Sequence, residues 1–293
     1  MNTPSDFLRR FLFEHAPIRG EIVRLDTVWQ HVMKRHDYPP VLRDLMGELC
    51  AAAVLLAATL KLKGAMVLQI HGKGAVKLLV VECTGDLEVR ATAKWEGDLS
   101  HGTLQDLVGD GRFVITLDPK DGNKAYQGIV ALEGESIAEI LQNYMTRSEQ
   151  LETRLWLAAD DHVAAGMLLQ KLPEQGEMQD ADAWGRATQL ADTLKPHELL
   201  TLPAGELVHR LYHQEDIRLF DPQTVVFRCT CSRESVAQML RMLGRAEVDA
   251  VIAERGDLEV HCEFCNQRYV FDRVDADAVF SDITAVPASK TLH

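Results

Sequence analysis

Met66-Val67-Leu68-Gln69-Ile70-His71-Gly72-Lys73-Gly74-Ala75-Val76-Lys77-Leu78-Leu79-Val80-Val81 is the stretch in which the period of the chain changes, and with it the fold class. Before Met66 the apolar residues recur at helical spacing. From Met66 the period shortens toward two, and His71-Gly72-Lys73-Gly74 puts turn residues between two apolar runs, so a β-hairpin is expected. Upstream, Val41 to Leu60 reads as one long apolar helix after the break His36-Asp37-Tyr38-Pro39-Pro40, with earlier helical patterns at Thr27 to Arg35 and at Pro4 to His15. Downstream, Phe113 to Leu117 and Tyr126 to Leu132 flank the turn Asp118-Pro119-Lys120-Asp121-Gly122-Asn123 and read as a second hairpin. Ser136-Ile137-Ala138-Glu139 has the spacing of a capping box and opens a helix through about Gln150. Strand-like runs at Arg154 to Leu157 and Ala165 to Leu172 close an α+β core domain, residues 1–173.

The composition then shifts. Glu174 to Asp192 is polar and acidic, carries Gly176 and Gly185, and reads as a linker. Pro196 to His213 places Leu199, Leu200, Leu202, Leu207, Val208 and Leu211 on a possible apolar face, but Pro196 and Pro203 interrupt it, so its helices need a docking surface to persist. A helical linker region over residues 174–228 and a small C-terminal domain over residues 229–293 follow.

With 293 residues the chain can bury a large core or two unequal ones. A formal net charge of -13 argues against nucleic acid as a partner, because such binding rests on Lys and Arg displacing counterions from phosphates. The first fifteen residues mix Asp6, Arg9, Arg10 and Glu14 among apolar positions, which is not a secretory signal. The uncharged run Leu49 to Leu60 is about 12 residues, against the roughly 20 a bilayer span requires, so no membrane span and a cytoplasmic location are expected. In a reducing compartment six cysteines point to metal binding, redox chemistry or burial rather than to a permanent disulfide framework.

Spacing decides among these. Cys229-Thr230-Cys231 and Cys262-Glu263-Phe264-Cys265 are two thiol pairs separated by the 30 residues Ser232 to His261. Zinc takes four thiolates tetrahedrally, and a Cys-x-x-Cys turn supplies two vertices from one knuckle, so one zinc ion on Cys229, Cys231, Cys262 and Cys265 is expected. The Cys-x-Cys half is unusual in structural zinc modules, and such a tight pair can close on itself as a strained disulfide. Between the pairs, Ser232 can cap a helix Arg233 to Leu243 ended by Gly244, a second helix runs Glu247 to Glu254 and ends at Gly256, and Leu258 to Val260 reads as a strand.

These motifs resemble the 33 kDa redox-regulated heat-shock chaperones of bacteria, whose C-terminal hallmark is Cys-x-Cys, a gap of this size, then Cys-x-x-Cys. Arg35-His36-Asp37-Tyr38-Pro39, Leu107-Val108-Gly109-Asp110-Gly111, Tyr126-Gln127-Gly128, Leu132-Glu133-Gly134, Tyr144 through Gln150, Leu199 to Pro203, Arg210-Leu211-Tyr212-His213 and Phe227 through Glu234 are similar to family segments, so the resemblance covers nearly the whole chain. The resemblance implies a holdase that works without ATP, inactive when reduced and zinc-bound. It further implies that oxidation pairs Cys229 with Cys231 and Cys262 with Cys265, that zinc leaves and the linker unfolds, and that the oxidised protein dimerises and holds unfolding client proteins.

Other candidates take plainer readings. Cys50 and Cys83 sit in apolar patterns and read as buried small hydrophobes. His209 and His213 have a spacing metals use but lack a third convergent ligand, and His261 reads as a neighbour of the thiol cluster rather than a ligand. Gly72-Lys73-Gly74 lacks the spacing of a nucleotide-binding loop, and the small basic clusters at Arg9, Arg10 and Lys61 to Lys63 read as solvated faces. Two other functions compete with the chaperone: a thiol-disulfide oxidoreductase using Cys262 and Cys265, and a zinc-dependent protein-binding module. An oxidoreductase places its Cys-x-x-Cys at a helix start, whereas here Tyr269-Val270-Phe271 continues as strand.

Overall fold

The apolar helix is the pivot of the fold. In the computed structural model, which describes residues 4–60, 62–97, 99, 102–119, 124–173, 180 and 182–281, the chain opens with β1 (Phe7–Phe13), β2 (Ile18–Leu25), α1 (Thr27–Met33) and α2 (Pro40–Thr59). β3 (Gly64–His71), β4 (Val76–Thr84), β5 (Glu88–Trp95), α3 (Leu104–Val108), β6 (Arg112–Pro119) and β7 (Tyr126–Val130) follow, then α4 (Ile137–Arg147), β8 (Thr153–Ala159) and β9 (Ala164–Lys171). Three short helices come next, α5 (Ala183–Ala191), α6 (Pro196–Thr201) and α7 (Ala204–Tyr212), and three minimal strands, β10 (Ile217–Leu219), β11 (Gln223–Thr224) and β12 (Val226–Phe227).

Two sheets result. One runs β10-β1-β2-β9-β8 with β11 also paired to β1, and the other runs β12-β5-β4-β3-β6-β7. Both expected hairpins form, Val67 opposite Glu82 and Phe113 opposite Val130. Residues 120–123 of the second turn, 174–179 and 181 of the acidic stretch, and Lys61 lie outside the described residues. α2 buries Leu42, Met46, Leu49, Val54 and Leu55 in one core with Leu8, Val23 and Leu168 of the first sheet and Leu68, Val81 and Ile115 of the second. Gly47 is required there, because a Cβ would stand 2.4 Å from the Ala159 methyl.

The opposite face of the first sheet forms a second core. Phe7, Phe11, Phe13, Ile18, Ile22, Met167 and Leu169 meet Ala183, Ala187 and Ala191 of α5, Leu199 of α6, and Leu207, Val208, Leu211 and Tyr212 of α7. Residues 183–191, read from composition as linker, are therefore helix with an Ala face on the sheet. α6 and α7 are the interrupted helices expected from Pro196 and Pro203, docked on that surface.

Two corrections concern the first sheet and α4. Pro4 to His15 is not helical but contains β1, because both faces of that strand are covered and its apolar residues do not alternate. The Ser136 hydroxyl accepts from Glu139 N as expected, but the Glu139 carboxylate accepts from Glu135 N at 2.8 Å instead of returning to Ser136.

The chain divides by contact into Met1–Arg228 and Cys229–His293. The second unit contains α8 (Arg233–Leu243), α9 (Arg245–Arg255), the antiparallel pair β13 (Leu258–His261) and β14 (Arg268–Phe271), and α10 (Arg273–Ser281). Ser232 caps α8 by accepting from Ser235 N, and Gly244 and Gly256 end α8 and α9 at positive φ, as their positions in the sequence imply. Val236, Leu240, Val248, Ile252, Leu258, Phe271, Ala276 and Val279 make its small core.

Candidate metal centre

Each thiol pair is positioned by a short backbone device. Cys262 and Cys265 flank the turn of the β13–β14 hairpin, where Cys262 N donates to Gln267 O at 3.0 Å, Asn266 N donates to Cys262 O at 2.7 Å, and Asn266 takes φ 55° to close the knuckle. Cys229 and Cys231 lie in the extended run that ends at the Ser232 cap of α8. The four Sγ atoms converge within 4.8 Å of one another. Between the pairs, Cys229 lies 3.6 Å from Cys262 and Cys231 lies 3.3 Å from Cys265.

That donor set suits a metal ion. A tetrahedron with zinc–sulfur arms of about 2.3 Å has sulfur–sulfur edges of about 3.8 Å, and the observed separations lie around that value. All four side chains are half-buried, reachable from solvent and shielded on one side. Burial raises Cys229 and Cys265 above the ordinary thiol range. At Cys231 burial acts the same way but is outweighed by the Tyr269 hydroxyl, which donates to its Sγ at 3.1 Å, and by the neighbouring thiols, so its net shift is downward. Tyr269, on β14, was not legible as a site residue: it reaches Cys231 across 38 positions of sequence.

The remaining candidates lie elsewhere or are otherwise engaged. His261 is exposed, with Nε2 at 2.6 Å from Glu259 Oε1 and Nδ1 at 3.1 Å from Asn266 Oδ1, so both ring nitrogens face groups other than the thiols. Cys50 and Cys83 are 1% and 0% exposed, and burial pushes both thiols far above their ordinary range, which keeps them protonated and unreactive. His209 lies on α7 and His213 is its C-cap residue. At Gly72-Lys73-Gly74 the amides of Lys73 and Gly74 both donate to Val108 O at 2.8 Å, so they are not free to cradle a phosphate, and the segment is a hairpin turn. No helix among the described residues is long and apolar enough to cross a membrane.

A family model described as Hsp33 protein matches residues 6–272. The 33 kDa chaperonin of Methylobacillus flagellatus is 56% identical over 290 residues, covering 99% of both chains, and that of Chromobacterium violaceum is 53% identical over 291 residues, covering 98% of both. The crystal structure of the 33 kDa chaperonin from Thermotoga maritima superposes with a TM-score of 0.80 over 95% of this chain and 99% of that one, at 22% identity, which shows the shared fold. With a family match spanning both units and relatives alike over nearly their whole length, the chain belongs to the Hsp33 family of chaperones.

Proposed function

We propose that the protein is a redox-regulated, ATP-independent holdase of the cytoplasm, silent while its four thiols are reduced and hold one zinc ion, and switched on by their oxidation. The observation that carries this reading is the convergence of Cys229, Cys231, Cys262 and Cys265 within 4.8 Å at the surface of a small unit. Bound zinc supplies a four-point cross-link to a module whose own apolar core is slight.

The chemistry belongs to the cysteines. A thiolate attacks one peroxide oxygen and hydroxide leaves, taking up the proton the thiol had lost to become water; the sulfenic acid formed is attacked by a second thiol with loss of another water, so two thiols and one peroxide give a disulfide and two waters. Every pair of sulfurs in the cluster is close, so distance does not choose the partners. The pairing Cys229 with Cys231 and Cys262 with Cys265 comes from the family resemblance. Any of the three possible pairings removes the donors a metal needs.

Release then spreads along the backbone. Cys229 directly follows Arg228, and the chain before it runs through two-residue β12, two-residue β11 and three-residue β10 back to α7. Helices α5, α6 and α7 have nine, six and nine residues and cannot persist without the sheet. Their undocking bares Leu199, Leu207 and Leu211 on one side and Phe7, Phe11 and Phe13 on the other, an apolar surface for unfolding clients and for a second copy of the chain in an oxidised homodimer. With a net charge of -13 the surface disfavours nucleic acid. An oxidoreductase is less well supported, because Cys262 and Cys265 bracket a hairpin turn rather than open a helix.

The test measures zinc content and suppression of client aggregation on one sample before and after peroxide with mild heat. One zinc per reduced chain, its loss on oxidation, nucleotide-free activity only in the oxidised sample, and disulfides mapped by mass spectrometry within each pair are expected. Full activity of the reduced, zinc-bound protein, or an ATP requirement, overturns the reading.

A further inference from the structure

The imidazoles of His209, on α7, and His213, the C-cap residue that ends it, stand together, ring centroids 6.2 Å apart and planes at 62°. Both residues are exposed, on the side of the helix away from buried Leu207, Val208 and Leu211. Neither ring has a hydrogen-bond or ion-pair partner among the described residues.

We propose that His209 and His213 form a second, weaker site for a divalent ion of the zinc, copper and nickel class, with water completing its shell. Side chains at i and i+4 have Cβ atoms roughly 5–6 Å apart only while the backbone is helical, and borderline divalent ions favour imidazole nitrogen. Rotation about side-chain bonds brings two ring nitrogens onto one ion without moving the helix. The site differs in kind from the thiol cluster: its ligands are imidazoles open to solvent, they are not consumed by peroxide, and they sit in the other unit.

Because the two ligands are correctly spaced only in the helix, an ion bound there stabilises α7 against opening. At ten times the dissociation constant, opening is suppressed about elevenfold. The consequence that such an ion delays release of α7 on oxidation rests on the holdase reading; the binding itself does not, and the two fail separately.

The experiment uses full-length, untagged, reduced protein already carrying zinc in its thiol cluster, titrated with further zinc chloride by equilibrium dialysis. Hydrogen exchange of the α7 amides is followed on the same samples. An additional, weaker zinc equivalent is expected, lost in His209→Ala and in His213→Ala but kept in the control His197→Ala. The α7 amides are expected to exchange about tenfold more slowly at zinc ten times above the dissociation constant, with no such slowing in His209→Ala. Alanine at an exposed helical position favours the helix, so loss of binding in that variant is not loss of fold. No additional equivalent in the parent protein, an equivalent unchanged in His209→Ala, or α7 exchange indifferent to zinc overturns the proposal.

Discussion

Glu21 is a carboxylate in the wrong solvent. Its side chain is 1% exposed on β2, Arg10 Nε donates to its Oε1 at 3.2 Å, and its Oε2 is buried without a hydrogen bond. Burial raises its pKa to about 7, and the nearby guanidinium groups of Arg10 and Arg19 offset only part of that. The raised folded-state pKa fixes the sign: the fold binds a proton that the unfolded chain releases near pH 4.5, so the contribution is fully present below that pH and is lost as pH rises toward 7. Glu21→Gln should therefore leave stability unchanged at pH 4 and raise it by up to about 3 kcal/mol at pH 8, read from denaturant unfolding at the two pH values. Equal effects at both pH values would show that Arg10 already keeps the carboxylate ionised. Glu48, which burial and then Asp44 also raise to about 7, should keep part of the pH slope in that variant. At this scale the sequence was most informative where residue identity carries the chemistry, as in the four cysteines. It was silent where a role depends on contact alone, as for Glu21, which lies on β2 between Arg10 of β1 and Leu168 of β9, far apart in sequence.

Helix α7 shows how an element can be stable only by docking. Its nine residues bury Leu207 at 1% exposure, with Val208, Leu211 and Tyr212, against the Phe7, Phe11 and Phe13 face of the first sheet. Leu207→Ala removes a buried isopropyl group, which costs about 2–5 kcal/mol, more than so short a helix can lose and stay docked. The reduced variant should keep its zinc yet suppress client aggregation without oxidant. A reduced variant that melts earlier but stays inactive would separate the docking of α7 from chaperone action. The same helices show what the sequence could and could not reveal. α6, α7 and α8 were legible because Pro196, Pro203, Ser232 and Gly244 punctuate them chemically. β1 was not: Phe7, Phe11 and Phe13 enter one core and Leu8 the other, so the spacing of its apolar residues imitates a helical face. β2 escaped for a related reason, since Arg19, Glu21 and Arg24 break its apolar run while lying within a sheet covered on both sides. β10, β11 and β12 have at most three residues each, too few for any period to register.

Across the whole molecule the two units differ in what holds them, and magnitudes separate their fates. Met1–Arg228 is built on two six-stranded sheets and two extensive apolar cores, whereas Cys229–His293 has one small core around Leu240, Val248 and Phe271. Domains are stable by about 5–15 kcal/mol, and structural zinc contributes roughly 10–16 kcal/mol of apparent binding free energy, so the smaller unit cannot survive loss of its thiolate donors on its apolar core alone. On the holdase reading the larger unit would lose the docking of α5 to α7 and the short pairings of β10, β11 and β12, while α2 would keep its buried contacts with the two sheets. Hydrogen exchange should therefore show amides from Ala183 to Phe271 losing protection on oxidation while those of β3 to β9 keep it. A strong chelator added to the reduced protein should strip protection from Cys229 onward in the same way, and returning zinc should restore it only while the thiols stay reduced. Uniform protection in the reduced, oxidised and chelated samples would mean that the apolar core of the second unit suffices without metal, and the oxidative switch would then have to act by some route other than unfolding.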